Sequence, residues 1–270
     1  MMFPVSKIDK LMARMTLAEK LGQLTMTAAG FAVTGPVLAG DSTDSIRNGT
    51  LGSLKAVGLA VDPNTGGYWI LKSNGGVNEF NAPWYGSLAG KLPAGQSVTG
   101  IAGTPGGGYL ILTSDGGVQN FGAPWYGSMG GKLPAGVTAV GIAADRATGG
   151  YWMLKSNGGV NEFNAPWYGS LANKIPAGQS VTGIAGTPGG GYLILTSDGG
   201  VHPFNATWYG SMGGKLPAGI TAVGIAVDPI TGGYWILKSN GGVNDFNAPW
   251  YGSLANHVPA GTTITAIASE

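Results

Sequence analysis

The chain has 270 residues, 43% of them hydrophobic and 10% charged, and a formal net charge of +1. This is the composition of an ordered protein, and its near-neutral balance offers no basic surface to a run of phosphates, which argues against a nucleic-acid partner. Cysteine is absent, so disulfides and thiolate metal sites are excluded, and the 51 glycines come without the period of three that collagen requires.

The N-terminus, Met1-Met2-Phe3-Pro4, lacks the basic start and apolar stretch of a signal peptide, and no segment has eighteen uninterrupted apolar residues. The chain as given therefore reads as soluble, with no membrane partner and no localisation fixed by a leader. Ile8, Leu11, Met12 and Met15 have helical spacing, and Ser6 with Asp9, then Thr16 with Glu19, mark two successive helix starts. These predict two short α-helices, over about 7–15 and 17–25. From Gly30 to Gly49 the sequence is small and polar without a period, a loop pattern, and Leu51-Gly52-Ser53-Leu54 leads into the first strand of a repeat.

From Ala56 onward the chain is repetitive. Trp-Tyr-Gly recurs at Trp84, Trp125, Trp167, Trp208 and Trp250, in steps of 41, 42, 41 and 42 residues. Two types of unit alternate, one containing Tyr68-Trp-Ile-Leu-Lys72, the other Tyr109-Leu-Ile-Leu-Thr113, and residues 68–118 match 151–201 except at Ile70/Met153, Gly90/Asn173 and Leu92/Ile175. A fixed period of this size means stacked supersecondary units, here a copied two-unit cassette.

Each unit reads as four short strands. The first (Val98–Ala102, for example) is built on Gly and Ala, which suits a place at a central channel. The second (Tyr68–Lys72) and third (Val77–Phe80) flank a Ser73-Asn74-Gly75-Gly76 hairpin turn, and the fourth is Trp84–Leu88, followed by a Pro-containing return. The predicted fold is all-β, a five-bladed β-propeller of four-stranded blades over 56–270, preceded by a short helical segment over 1–55. Thr263–Ala268 repeats the first-strand pattern once more. This surplus strand is read as closing the ring of five blades, with the start of a sixth blade as the alternative.

Two resemblances add to this reading. Ile8–Leu24 resembles the start of family 3 glycoside hydrolases, and Ile46-Arg47-Asn48-Gly49 with Leu51–Leu54 resembles that family's next landmark. The likeness stops near residue 54, so the catalytic (β/α)₈ barrel, which takes ~200 residues or more, and its nucleophile have no counterpart, and no catalytic residue is carried across. The repeats resemble in layout the tachylectin-type five-bladed propellers. That resemblance implies a lectin, binding N-acetylated sugars or polysaccharide, and together the two imply an accessory module of a glycosidase.

The candidate sugar-binding residues lie in the three matching units: Asn74, Asn78, Asn81 and Tyr85, then Asn157, Asn161, Asn164 and Tyr168, then Asn240, Asn244, Asn247 and Tyr251. Amides suit hydroxyl and acetamido groups and aromatic faces suit sugar C–H faces, although Trp and Tyr are also what blade packing requires and Asn what turns require. Glu79, Glu162 and Asp245 repeat at equivalent positions, which argues against one paired acid–base site with carboxyls about 5–10 Å apart. Ser114-Asp115-Gly116 stands where Ser73-Asn74-Gly75 stands in the sister unit, so it is a turn and not a nucleophile motif. His202 and His257 have no ligand-spaced partners, and no metal or cofactor is expected. The reading is thus a non-catalytic carbohydrate-binding propeller with repeated weak sites. A family 3 glycosidase fragment and a structural or protein-binding propeller are the alternatives, and completion of a ring between chains is left open.

Overall fold

The computed structural model describes residues 55–255, 257–259 and 262–269. The chain divides into two units, Met1–Lys55 and Ala56–Glu270, and the helices expected over 7–15 and 17–25 lie outside the described residues.

The second unit is all-β and contains five three-stranded antiparallel sheets. Blade 1 is β1 (Ala56–Val61), β2 (Tyr68–Lys72) and β3 (Val77–Phe80). Blade 2 is β4 (Val98–Gly103), β5 (Tyr109–Thr113) and β6 (Val118–Phe121), and blade 3 is β7 (Ala139–Ala144), β8 (Tyr151–Lys155) and β9 (Val160–Phe163). Blade 4 is β10 (Val181–Thr187), β11 (Gly191–Thr196) and β12 (Val201–Phe204), and blade 5 is β13 (Ala222–Val227), β14 (Tyr234–Lys238) and β15 (Val243–Phe246).

The expected fourth strand is not formed. Trp84–Leu88 and its counterparts are extended segments without a ladder, each tied to the hairpin turn by one backbone bond, such as Leu88 N–H to Gly75 O at 2.9 Å. The reason lies in the residues that enter the segment. Asn81 turns the chain at φ +51°, Pro83 cannot donate to a ladder, and Gly86 adopts φ +124°, so three of six residues break strand geometry.

The middle strands of blades 2, 3 and 4 are buried on both faces, and the two-residue alternation of each middle strand divides labour between neighbours. Trp69 and Leu71 of β2 face forward and pack with Tyr109 and Ile111 of β5, which face back. Leu110 and Leu112 likewise meet Tyr151 and Met153, and the same arrangement joins blade 3 to 4 and 4 to 5. The core therefore consists of four interblade layers rather than one centre.

Two glycines per blade make these layers possible. Each first strand carries a bulge just before a glycine, as between Ala56 and Gly58, and a Cβ on Gly58 would sit 2.9 Å from Ile101 Cγ2 of the next blade. The five first strands line a channel of about 310 Å³ with Ala60, Ala102, Ala143 and Ala226 among its walls. The small residues expected to face a central channel do so.

The second glycine follows the rim Trp-Tyr pair. The next blade's Phe121 ring lies where a Gly86 side chain would be, and Tyr109 Oη donates to Gly86 O, as Tyr151 does to Gly127 O, Tyr192 to Gly169 O and Tyr234 to Gly210 O, at 2.5 to 2.7 Å. Tyr151 Oη also accepts from Tyr126 N–H. Each tyrosine thus latches its blade onto the one before.

The turns after the first strands in blades 1, 3 and 5 are organised by buried aspartates. Asp228 accepts from Thr231 Oγ1 at 2.7 Å and Ile230 N–H at 3.0 Å. The Thr231 hydroxyl, with those backbone N–H groups, holds the carboxyl below the ordinary carboxylate value against the opposing effect of burial. A lowered folded pKa contributes stability above the unfolded value of about 4, lost as pH falls through the folded one. Thermal melts of Asp228→Asn from neutral to acid pH are accordingly expected to show a shallower acid limb than the unaltered protein. Superimposable acid limbs would rule out Asp228 as a source of acid sensitivity.

The surplus segment does not join the β1–β2–β3 sheet. Ile267 packs on Gly224 as Ile225 packs on Gly183, and Ser269 Oγ donates to Val227 O, one full repeat earlier. It occupies the place a sixth first strand would take. Residues 262–269 form no ladder, so neither the ring closure preferred from sequence nor the start of a sixth blade is present there as a paired strand.

Candidate functional site

Seven of the eight tryptophans fall into two classes, with the partly buried Trp235 between them. Trp69 and Trp152 are fully buried between blades, and their Nε1 atoms donate to Pro83 O and Pro166 O at 2.8 Å. Trp84, Trp125, Trp167, Trp208 and Trp250 are instead 55% to 59% exposed, one on the rim of each blade. In blade 2 the indole lies along the outer edge of the sheet, with Trp125 Nε1 donating to Val118 O at 3.1 Å.

The local sequence explains this. The turn at Asn81 and Pro83 reverses the chain past the third strand, and the next blade's Phe and Tyr claim the space around Gly86. The side chain of residue 84 is left outside. Asn78 and Glu79 of β3, and Gln119 and Asn120 of β6, are exposed on the same outer strands. A repeated exposed indole, beside amides in blades 1 and 2 and beside one carboxylate in each of blades 1, 3 and 5, can stack on an apolar face while bonding polar groups at its edge.

The twelve residues expected to bind sugar are distributed differently. Asn74, Asn157 and Asn240 accept the N–H of Gly76, Gly159 and Gly242 at 2.9 to 3.1 Å and so build the hairpin turns. Asn81, Asn164 and Asn247 adopt φ +51° or +52° at the far end of the third strand and donate through Nδ2 to Thr65 O, Thr148 O and Thr231 O. A four-residue strand separates these two sets, roughly 13 Å, so they do not converge on one ligand. Asn78 is exposed and Asn161 and Asn244 partly so, and the Oδ1 atoms of the latter two are buried without a partner. Tyr85 and Tyr168 lie over the junctions, 6.1 Å and 6.2 Å in ring-centroid distance from Tyr109 and Tyr192 of the next blade. Tyr251 lies 5.9 Å from Trp235.

The exposure of the rim tryptophans separates them from the packing role that Trp was expected to fill between blades. A signal was present. The second strand carries Trp in units one, three and five but Leu110 and Leu193 in the others, as a packing position can, whereas all five units keep Trp at the rim.

Several other titratable groups have structural roles. Asp115 accepts from Thr113 Oγ1, Gly117 N–H and Gln96 Nε2. Burial works against its ionisation, yet the hydrogen bonds from Thr113 and the backbone hold its carboxyl below the ordinary value, and Asp198 behaves likewise with Thr196. This is the turn expected of Ser-Asp-Gly. His202 is half-buried, and desolvation pushes its ring pKa down while Asp198 opposes the shift. Glu79, Glu162 and Asp245 stand on the third strands of separate, alternate blades. Among the described residues no group of three His, Asp or Glu side chains is placed to hold a metal ion.

No family model and no curated protein matches the sequence. Among solved structures, Raptor from Chaetomium thermophilum aligns with a TM-score of 0.47 at 10% identity, over 80% of this chain and 26% of that one. YCF48 bound to D1 peptide gives 0.41 at 11% identity over 72% and 64%, and YCF48 from Cyanidioschyzon merolae gives 0.40 at 14% over 67% and 63%. The chain thus spans between about a quarter and just under two thirds of these structures.

Proposed function

We propose that the protein is a non-catalytic binding module whose rim tryptophans take carbohydrate, one weak site per blade. The observation that carries this reading is the five-fold recurrence of an indole more than half exposed at one repeat position, a feature that blade packing does not require. Isolated exposed apolar residues need no explanation, but five equivalent ones on a weakly charged surface form a repeated platform. Exposed Asn78, Glu79, Gln119 and Asn120 supply edge donors and acceptors. Equivalent weak sites reinforce one another on a polymer, so affinity for polysaccharide exceeds that for a monosaccharide. The likeness of Ile8–Leu24 to a glycosidase start supports placing the module beside such an enzyme.

The test is binding to a glycan array and to soluble polysaccharides, including N-acetylated ones, by the unaltered chain and by a Trp84→Ala, Trp167→Ala, Trp250→Ala variant. Losing three of five sites is expected to cost about a hundredfold in apparent polymer affinity, with no change in melting temperature beyond a few degrees. Silence on every glycan, or unaltered binding by the triple variant, overturns the reading. A structural role has one observation in its favour: Trp125 covers the open edge of β6, as edge strands require. In that case the triple variant aggregates, and the unaltered protein binds no sugar.

A further inference from the structure

Among the described residues, the four interblade layers leave two faces of the same kind without a partner. The back-facing surface of blade 1 carries Tyr68, 39% exposed, and Phe80, 40% exposed, where Tyr109, Tyr151, Tyr192 and Tyr234 are fully buried. Leu59 is half-buried on this face, while Ile101, Ile142, Ile184 and Ile225 at the equivalent position are buried. The forward face of blade 5 shows the matching deficit. Tyr251 is 81% exposed, Trp235 is half-open, Leu254 is exposed, and Gly252 has no atom near the place of its missing side chain. Gly86, Gly127, Gly169 and Gly210 each meet a phenylalanine ring there. The two ends of this chain therefore do not meet each other among the described residues.

We propose that these faces are the two halves of a head-to-tail interface between copies of this chain, blade 5 of one copy receiving blade 1 of the next. Their complementarity is demonstrated four times within the chain. A forward face of the same type, built on Trp69, Tyr85 and Gly86, receives Tyr109 and Phe121, and a back face of the same type, built on Tyr151 and Phe163, seats on blade 2. In the new junction Tyr68 Oη donates to Gly252 O and the Phe80 ring covers Gly252. Residues 262–269 hold the channel side of blade 5 through Ile267 and Ser269 but belong to no sheet, so an incoming β1 displaces a segment with no ladder of its own. Because the two faces differ, the contact is heterologous and extends to a ring or a filament.

The test is sedimentation velocity and native mass spectrometry on the full chain from micromolar to near-millimolar concentration, with Tyr68→Asp and Tyr251→Asp. Both residues are exposed, and circular dichroism with the melting temperature checks that each variant folds; Phe80→Asp is a second lesion of the blade 1 face. The unaltered chain is expected to grow in mass with concentration, and each single variant to weaken association by about thirtyfold or more. Each variant retains one intact face. An equimolar mixture of Tyr68→Asp and Tyr251→Asp is therefore expected to form a heterodimer and stop there, an outcome that closure within one chain cannot produce. A monomer at every concentration overturns the proposal, and so does association that survives both substitutions or a mixture that stays monomeric while the unaltered chain assembles. None of these outcomes depends on sugar binding.

Discussion

Replacing Trp152 with alanine is expected to destabilise the fold by about 3–5 kcal/mol, whereas Trp167→Ala, fifteen residues along the same unit, changes stability by no more than about 0.5 kcal/mol. The contrast follows from where the two indoles lie. Trp152 is fully buried, packs at 5.0 Å from the Tyr192 ring of the next blade, and donates to Pro166 O. Its removal opens a cavity in the layer between blades 3 and 4, and leaves Pro166 O without its donor. Neighbouring side chains cannot collapse into the space, because Gly141 and Ile184 fix the approach of blades 3 and 4 at the channel. Trp167 is 58% exposed, so truncation removes surface more than contact. Because repeat proteins are stabilised by nearest-neighbour terms, the loss at one junction is transmitted to the whole array as a missing link. Urea unfolding of both variants measures the difference. Comparable losses for the two would mean that the rim indole is a packing residue, and would weaken the binding proposal with it.

The same contrast shows what was legible in the sequence. The period, the alternation of unit types, the second and third strands and the turn at Asn74 could all be read, because each rests on local signals: two-residue alternation and φ > 0 residues at fixed offsets. The first strand's place at the channel was also legible, since its Gly and Ala leave room for the approach of Ile101 and its equivalents. Trp84–Leu88 misled, because Trp, Tyr and Leu have high strand propensity while the geometry is decided by Asn81, Pro83 and Gly86. The distinction between Trp69 and Trp84 depends on which way the chain faces after that turn, a tertiary fact that composition does not carry. The role of Thr263–Ala268 was ambiguous for a similar reason. Its pattern identifies a first strand, but whether such a strand pairs with β2 or stacks on β13 depends on how far the arc of blades has turned.

Alkaline unfolding is the second large effect. Burial pushes the phenols of Tyr109 and Tyr192 up to about 12, and those of Tyr151 and Tyr234 upward from the ordinary value, in each case against the lowering effect of backbone hydrogen bonds. The nearby carboxylates Glu79 and Glu162 add to the rise at Tyr109 and Tyr192. All four hydroxyls are interblade latches that donate to a glycine carbonyl, and a phenolate has no proton to donate and is repelled by the oxygen it faces. A folded pKa above the unfolded one contributes stability that is fully present below the unfolded value, about 10 for tyrosine, and lost as pH rises through the folded value. The melting temperature is therefore expected to hold up to about pH 10 and then to fall toward pH 12 as phenolate absorbance appears cooperatively rather than residue by residue. Tyr192→Phe separates this cause from lysine deprotonation. At neutral pH it costs about 0.5–1.5 kcal/mol for the lost bond to Gly169 O, and its alkaline limb is shallower than that of the unaltered chain because one ionisation has been removed. Identical alkaline limbs would show that the latches do not set the limit. A shallower one ties the stability of the whole array to one hydroxyl per junction, repeated four times.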